Sequence, residues 1–124
     1  MKIKITWKAF GNKPQIGRFI SSVEFDTDGF VGQNIDEISH ENICNALYKD
    51  TNWYQGLWWN LIEPLLSPTR THTSLSIGDE IQINEITYVV ADFGFVKKED
   101  AEYRYMDDMV FSVRKADALS NTTN

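Results

Sequence analysis

Two histidines and one cysteine are the only imidazole and thiol groups in a chain of 124 residues, and His40 and Cys44 stand four apart. On a helix that spacing puts both side chains on one face, where they could share a metal ion. Two ligands do not make a zinc site, and the rest would have to be carboxylates, because His72 lies in a separate segment and no second cysteine exists. The same helix offers no third group to orient His40 as a base for the thiol, so a nucleophilic pair is not expected either. Cys44 reads as a small core residue. Asp26, Asp28 and Glu37 occupy positions 1, 3 and 12 of a calcium-loop pattern. That pattern needs glycine at its sixth position and an oxygen ligand at its fifth, where this chain has Val31 and Phe30. A turn that ends a strand is the expectation there.

The densest polar cluster is Arg70-Thr71-His72-Thr73-Ser74. A guanidinium, an imidazole and hydroxyls on one loop could hold an anion or a nucleotide phosphate, with Arg70, Thr71, His72 and Ser74 as the ligand-binding residues. Hydroxyl-rich loops also brace their own backbone, which gives a purely structural alternative. Neither a phosphate-binding Walker loop nor a dinucleotide fingerprint is present. With no recognised acid, base or nucleophile constellation, the chain is expected to be a binding protein without a cofactor or metal.

The aromatic concentration Trp53, Tyr54, Trp58 and Trp59 points to contact surfaces. On one helix, Tyr54, Trp58, Leu61 and Leu65 would form an apolar stripe facing a sheet. Trp59, rotated by about 100° from Trp58, would then lie at an edge and could anchor a partner; a broad helix face covered by the sheet and the 97–108 loop is the alternative.

Charge is sharply divided along the chain, whose net charge is −6. Lys2, Lys4, Lys8, Lys13 and Arg18 face no acid in residues 1–23. In residues 24–63, eight acids (Glu24, Asp26, Asp28, Asp36, Glu37, Glu41, Asp50, Glu63) stand against Lys49 alone. An acidic chain is a poor general binder of nucleic acid, apart from a local basic patch in the first segment. An acidic surface suits a basic protein groove, including one that normally holds nucleic acid, with Asp36, Glu37 and Glu41 as contacts. The excess of acid also serves solubility. No apolar run reaches the roughly 18 residues of a membrane span, and the N-terminus alternates lysine with apolar residues instead of forming a signal-peptide core. A cytoplasmic protein is expected.

These groups must be positioned by a fold that can be read from periodicity. Residues 2–10 alternate, as do 16–26 beyond the turn Gly11-Asn12-Lys13-Pro14-Gln15, which predicts an antiparallel hairpin. Ser39 marks a helix start, with Ile43, Ala46 and Leu47 as its apolar face, and helices are predicted near 39–50 and 53–65. Pro64 and Pro68 end the second. Segments 80–84 and 86–92 flank Asn84-Glu85 as a tight hairpin. Phe95-Val96 starts a short strand, 97–108 reads as a charged loop or frayed helix, and Met109, Phe111 and Val113 mark a last strand. The fold class expected is α+β: one domain over 1–115 and a disordered polar tail over 116–124. Segments 2–10, 16–26, 80–84, 86–92 and 109–114 would form one antiparallel sheet, open or partly curled into a barrel, with two helices packed on it.

Over Arg70-Thr71-His72-Thr73-Ser74-Leu75-Ser76-Ile77-Gly78-Asp79, the hairpin after it and the closing Phe93-Gly94-Phe95, the chain resembles a small uncharacterised family from phages, plasmids and some bacterial genomes. A weaker similarity reaches the YodL-like modules of mobile-element proteins. The resemblance covers about residues 51–99 and implies a phage or mobile-element origin. It implies no activity. Ser76-Ile77-Gly78-Asp79 would be the turn into the hairpin, with Phe93 and Phe95 closing the sheet over the Trp58 helix. The function expected is therefore that of a phage- or mobile-element binding protein. Its partner would be a host protein or protein–nucleic acid complex, such as a nucleic-acid-targeting defence system. A small-ligand or nucleotide module built on residues 70–74 is the alternative.

Overall fold

A computed structural model describes residues 1–8, 21–27, 39–66, 74–107 and 109–116. The first strand, β1 (Lys2–Trp7), turns Ile3, Ile5 and Trp7 inward and its lysines outward. Alternation of this kind commits one face of a strand to the core. Strand β2 (Ser21–Asp26) pairs with it antiparallel, Lys2 opposite Asp26 and Lys4 opposite Glu24. Lys2 and Lys4 of the basic segment therefore stand beside Asp26 and Glu24 of the acidic one, so these charges, divided along the chain, are neighbours in space. The terminal ammonium of Met1 adds a contact of 3.5 Å to Asp26.

Helix α1 (His40–Trp53) starts where a capping serine was expected, with the Ser39 hydroxyl accepting from the Asn42 N–H. It runs three residues beyond the expected end and stops at Tyr54, which takes a left-handed conformation at φ 56°. The second helix, α2, spans only Leu57–Ile62 and tightens into a 3₁₀ turn at Glu63–Leu65, where Pro64 sits. The continuous stripe from Tyr54 to Leu65 is thus corrected. The chain breaks at Tyr54 and Gly56, so Tyr54 and Leu65 are exposed while Trp58 and Ile62 are buried.

The remaining strands are β3 (Glu80–Ile83), β4 (Ile86–Val90), β5 (Phe95–Lys97), β6 (Ala101–Met106) and β7 (Met109–Lys115). The main sheet has the order β2-β1-β3-β4-β5, all antiparallel. Its end strands β2 and β5 do not pair, so the sheet is open and no barrel closes. Asn84 holds the β3–β4 turn at φ 54°, donating its N–H to the Lys2 carbonyl and accepting the Lys2 N–H at Oδ1. Asparagine tolerates this conformation because its short polar side chain bonds locally.

Strand β7 belongs to a separate two-stranded sheet with β6, and not to the main sheet as expected. Residues 101–106, expected within a charged loop or frayed helix, are accordingly a strand. A 3₁₀ turn at Lys98–Asp100 leads into β6, whose alternation is hidden by its charges Glu102 and Arg104. A register shift leaves Phe111 unpaired between Ser112 and Val110, which turns Phe111 outward and Val110 and Val113 inward.

Two cores result. Ile3, Ile5, Ile81, Ile83 and Val90 face the helices with Ile43, Cys44, Leu47 and both Trp58 and Trp59. On the other face, Val89, Ala91 and Val113 pack with Val96, Tyr103 and Val110 under the β6–β7 hairpin. Gly78, at φ 99°, lies so close under this hairpin that a Cβ there would stand 3.2 Å from Val110. The polar tail expected over 116–124 lies, apart from Ala116, outside the described residues.

Candidate functional site

Of the expected contact residues, Asp36, Glu37, Arg70, Thr71 and His72 lie outside the described residues. Ser74 is half-buried just before the core residue Leu75. The turn after it is a brace. Asp79, fully buried, accepts the Ser76 and Lys8 N–H groups, both at 2.8 Å, and so ties the turn to the end of β1. Trp59 does not lie at an edge. It is 8% exposed, within the helix-side core and in edge contact with Tyr54 at 5.3 Å between ring centres. The short α2 is covered on both flanks, so Trp59 presents no ring to a partner and its expected anchoring role is withdrawn.

Four groups that could have been reactive are held by the fold. The Cys44 thiol is buried, and burial together with the nearby Glu41 charge pushes its pKa up to about 12, far from a thiolate at neutral pH. His40 Nδ1 lies 2.8 Å from the Tyr88 hydroxyl. Burial of Tyr88, with the neighbouring Cys44, raises the phenol's pKa. Lys8 keeps its charge although burial opposes it, because the Glu80 carboxylate 2.6 Å away bonds it and holds its pKa above the usual value. Lys98 shares the same carboxylate at 3.1 Å.

Glu41 is exposed and belongs to a groove. Glu41, Asn45 and Tyr48 fall at helical spacing along one stripe of α1, which faces the end strand β5. A cavity of about 340 Å³ lies between Asn45, Tyr48, Ile77, Val90, Phe93 and Phe95. A second, of about 410 Å³, runs on from Phe95 past Glu41, Tyr88, Lys97, Asp100 and Lys115. Both have Phe95 in their walls and so adjoin at that ring, an apolar and a charged stretch of the trough between α1 and β5. The Tyr48 ring meets Phe95 edge-on at 6.2 Å.

At the apolar end stands Phe93, 94% exposed, and not closed over the Trp58 helix as expected. Its turn is held from several sides. The Ala91 N–H donates to the Gly94 carbonyl, and the Asp92 N–H to that of Val113. The Asp92 carboxylate accepts from Ser112 Oγ at 2.7 Å, Val113 N–H at 3.0 Å and Arg114 Nε at 3.2 Å. A ring that buries nothing is thus displayed on a stem tied to the hairpin. The sequence shows Asp92-Phe93-Gly94 as a turn; the exposure of Phe93 follows from the placement of β7, which no local pattern reveals.

The bonds to Ser112 and Val113, with the Arg114 charge, lower the Asp92 pKa from 3.8. A carboxyl depressed in the folded state adds stability above its unfolded pKa and loses it as pH falls through the folded value. The Val113 amide shift should therefore titrate with a midpoint below 3.8, and Asp92→Asn should abolish that titration. A Val113 amide indifferent to pH across this range would mean that Asp92 does not hold the hairpin.

Comparison of the chain with known protein families, with curated proteins and with solved structures finds no match.

Proposed function

We propose that the chain is a non-enzymatic binding protein, encoded by a phage or mobile element and acting in the host cytoplasm. It would contact a host protein, or a protein–nucleic acid complex, through the trough between α1 and β5. The observation that carries this reading is Phe93, a nearly fully exposed aromatic on a stem fixed by the Asp92 bonds, beside an apolar cavity. Displaying such a ring to water contributes no burial to folding, whereas a pre-positioned aromatic beside a pocket is the usual anchor of an interface. Glu41 borders the same trough, and Asp36 and Glu37 precede it in the sequence, so the acidic contacts and the apolar anchor belong to one reading. A basic surface, such as that of a nucleic-acid-targeting defence complex, is the complementary target class. The resemblance of residues 51–99 to phage and plasmid proteins supports this origin.

Capture from host lysate on immobilised protein tests the proposal. Phe93→Ser should shift folding stability by no more than about 0.5 kcal/mol, as exposed substitutions do. It should weaken capture by roughly 2 kcal/mol or more, as loss of an interface anchor does. Reversing the charges of Asp36, Glu37 and Glu41 together should weaken capture and reduce its salt dependence. If the Phe93 variant retained every partner at wild-type strength, the trough would not be the binding surface.

A further inference from the structure

The charged half of the trough follows the outer edge of β5, and among the described residues no strand pairs with that edge. The Ala91 N–H bonds the Gly94 carbonyl, so Ala91 and Gly94 form a hydrogen-bonded pair across the turn. In an antiparallel ladder such pairs alternate with non-bonded ones. Val90–Phe95 and Tyr88–Lys97 are therefore the non-bonded pairs of this register, and the backbone groups of Phe95 and Lys97 point away from β4. The Lys97 carbonyl opens the 3₁₀ turn at Lys98–Asp100 and is engaged there. Among the described residues three groups remain without a strand partner on the open side, namely the N–H and C=O of Phe95 and the N–H of Lys97, and the described sheet ends at this strand. Helix α1 forms one wall beside the edge, with Tyr48 and Glu41, and Asp100 and Lys115 border the other.

We infer that the partner enters as an extended peptide segment that adds a sixth, antiparallel strand to β5. This rests on the protein-binding reading above and specifies what that partner presents. A peptide residue opposite Phe95 exchanges two hydrogen bonds with it, and the residue two positions earlier accepts the Lys97 N–H. Residues directly opposite share a face of the sheet. The first places its side chain beside Phe95, Tyr48 and Phe93, so it is apolar. The cavity there is lined by Glu41 and Asp100 as well as by Lys97 and Lys115, but the second residue stands directly opposite Lys97, whose exposed ammonium is its cross-strand partner, so it is acidic. The residue between them points to the Val96 side and is unconstrained. The recognised segment thus reads, from N to C, acidic, any residue, apolar. Main-chain bonds supply the affinity of such strand addition and side-chain pockets its specificity.

A display library of random short peptides, selected on the intact chain, supplies the probe. The expected enrichment is acidic-any-apolar, and the selected peptide should protect the Phe95 and Lys97 amides from hydrogen exchange. Lys97 has φ −58°, inside the range that proline adopts, and its N–H bonds no strand of the sheet. Lys97→Pro therefore deletes one outward donor without strain, and should weaken the peptide at least tenfold more than Lys97→Ala does. Lys97→Glu should shift selection toward a basic residue at the first position, which keeps the test independent of the proline variant's folding. Enrichment of an amphipathic helical spacing, no enrichment, or equal binding by Lys97→Pro and Lys97→Ala would each overturn strand addition. If Phe93→Ser nonetheless lost the host partner, the protein-binding function would stand with a different mode of contact.

Discussion

Replacing either Trp58 or Trp59 by alanine is expected to cost roughly 3–5 kcal/mol of folding stability, the range for large-to-small changes of buried aromatics. The two rings leave α2 in different directions, yet each is covered. Trp58 lies against Phe25 at 6.2 Å between ring centres, and Trp59 against Tyr54 at 5.3 Å. Truncating either opens a cavity in the core that includes Ile5, Ile43, Leu47 and Ile81. Had α2 been a long helix lying on the sheet with one face outward, Trp59→Ala would have been close to neutral. Urea denaturation of the two single variants decides between these cases. A loss below about 1 kcal/mol at Trp59, in the range of surface changes, would return its ring to the surface and restore it as a contact candidate.

Gly56→Ala is expected to be comparably damaging, for a reason that is almost wholly local. Gly56 sits at φ 111° and ψ 173°, a region essentially confined to glycine. A side chain there is strained by about 1–3 kcal/mol. Its Cβ would also stand 2.5 Å from Asp50 Oδ2, too close for either atom to remain. That carboxylate accepts the Trp58 N–H at 3.0 Å and so joins the end of α1 to the start of α2. A charge-assisted bond of this kind contributes roughly 1.5–3 kcal/mol, so strain and lost bond together approach about 3–5 kcal/mol. Part of that loss is shared with Asp50. The double variant Asp50→Ala with Gly56→Ala should therefore lose at least about 1 kcal/mol less than the sum of the singles, as coupled neighbours do. Strict additivity would show that the carboxylate and the glycine do not act on each other.

Much of the sheet was legible because alternation is a direct consequence of a strand having two faces. Ile3, Ile5 and Trp7 in β1, and Ile81 and Ile83 in β3, declare a buried face without reference to any other segment. Ser39 likewise announces its helix, because a hydroxyl at that position satisfies a free N–H of the first turn. The α+β class, the β1–β2 and β3–β4 hairpins and the core role of Cys44 needed nothing beyond this. Strand β6 was not legible, since its charges Glu102 and Arg104 flank Tyr103, which becomes an apolar neighbour only once Val89 and Val96 provide a surface beneath it, while Tyr105 stays exposed. The helix break at Tyr54 and Gly56 was hidden for a similar reason: the periodicity of Tyr54, Trp58, Leu61 and Leu65 is a true 3.6-residue repeat, and only the carboxylate of Asp50, folding back onto the Trp58 N–H, shows that the chain stops and restarts there. Tertiary structure also decided the electrostatics. A run of lysines and a run of acids look like two poles, but pairing β1 with β2 sets Lys2 and Lys4 against Asp26 and Glu24. The trough is the extreme case. Its walls come from α1, the turn after β4, β5 and the base of the second hairpin, and long-range packing alone brings Glu41, Tyr48, Phe93, Lys97 and Lys115 to one surface, because the contacts that join them are separated by tens of residues along the chain.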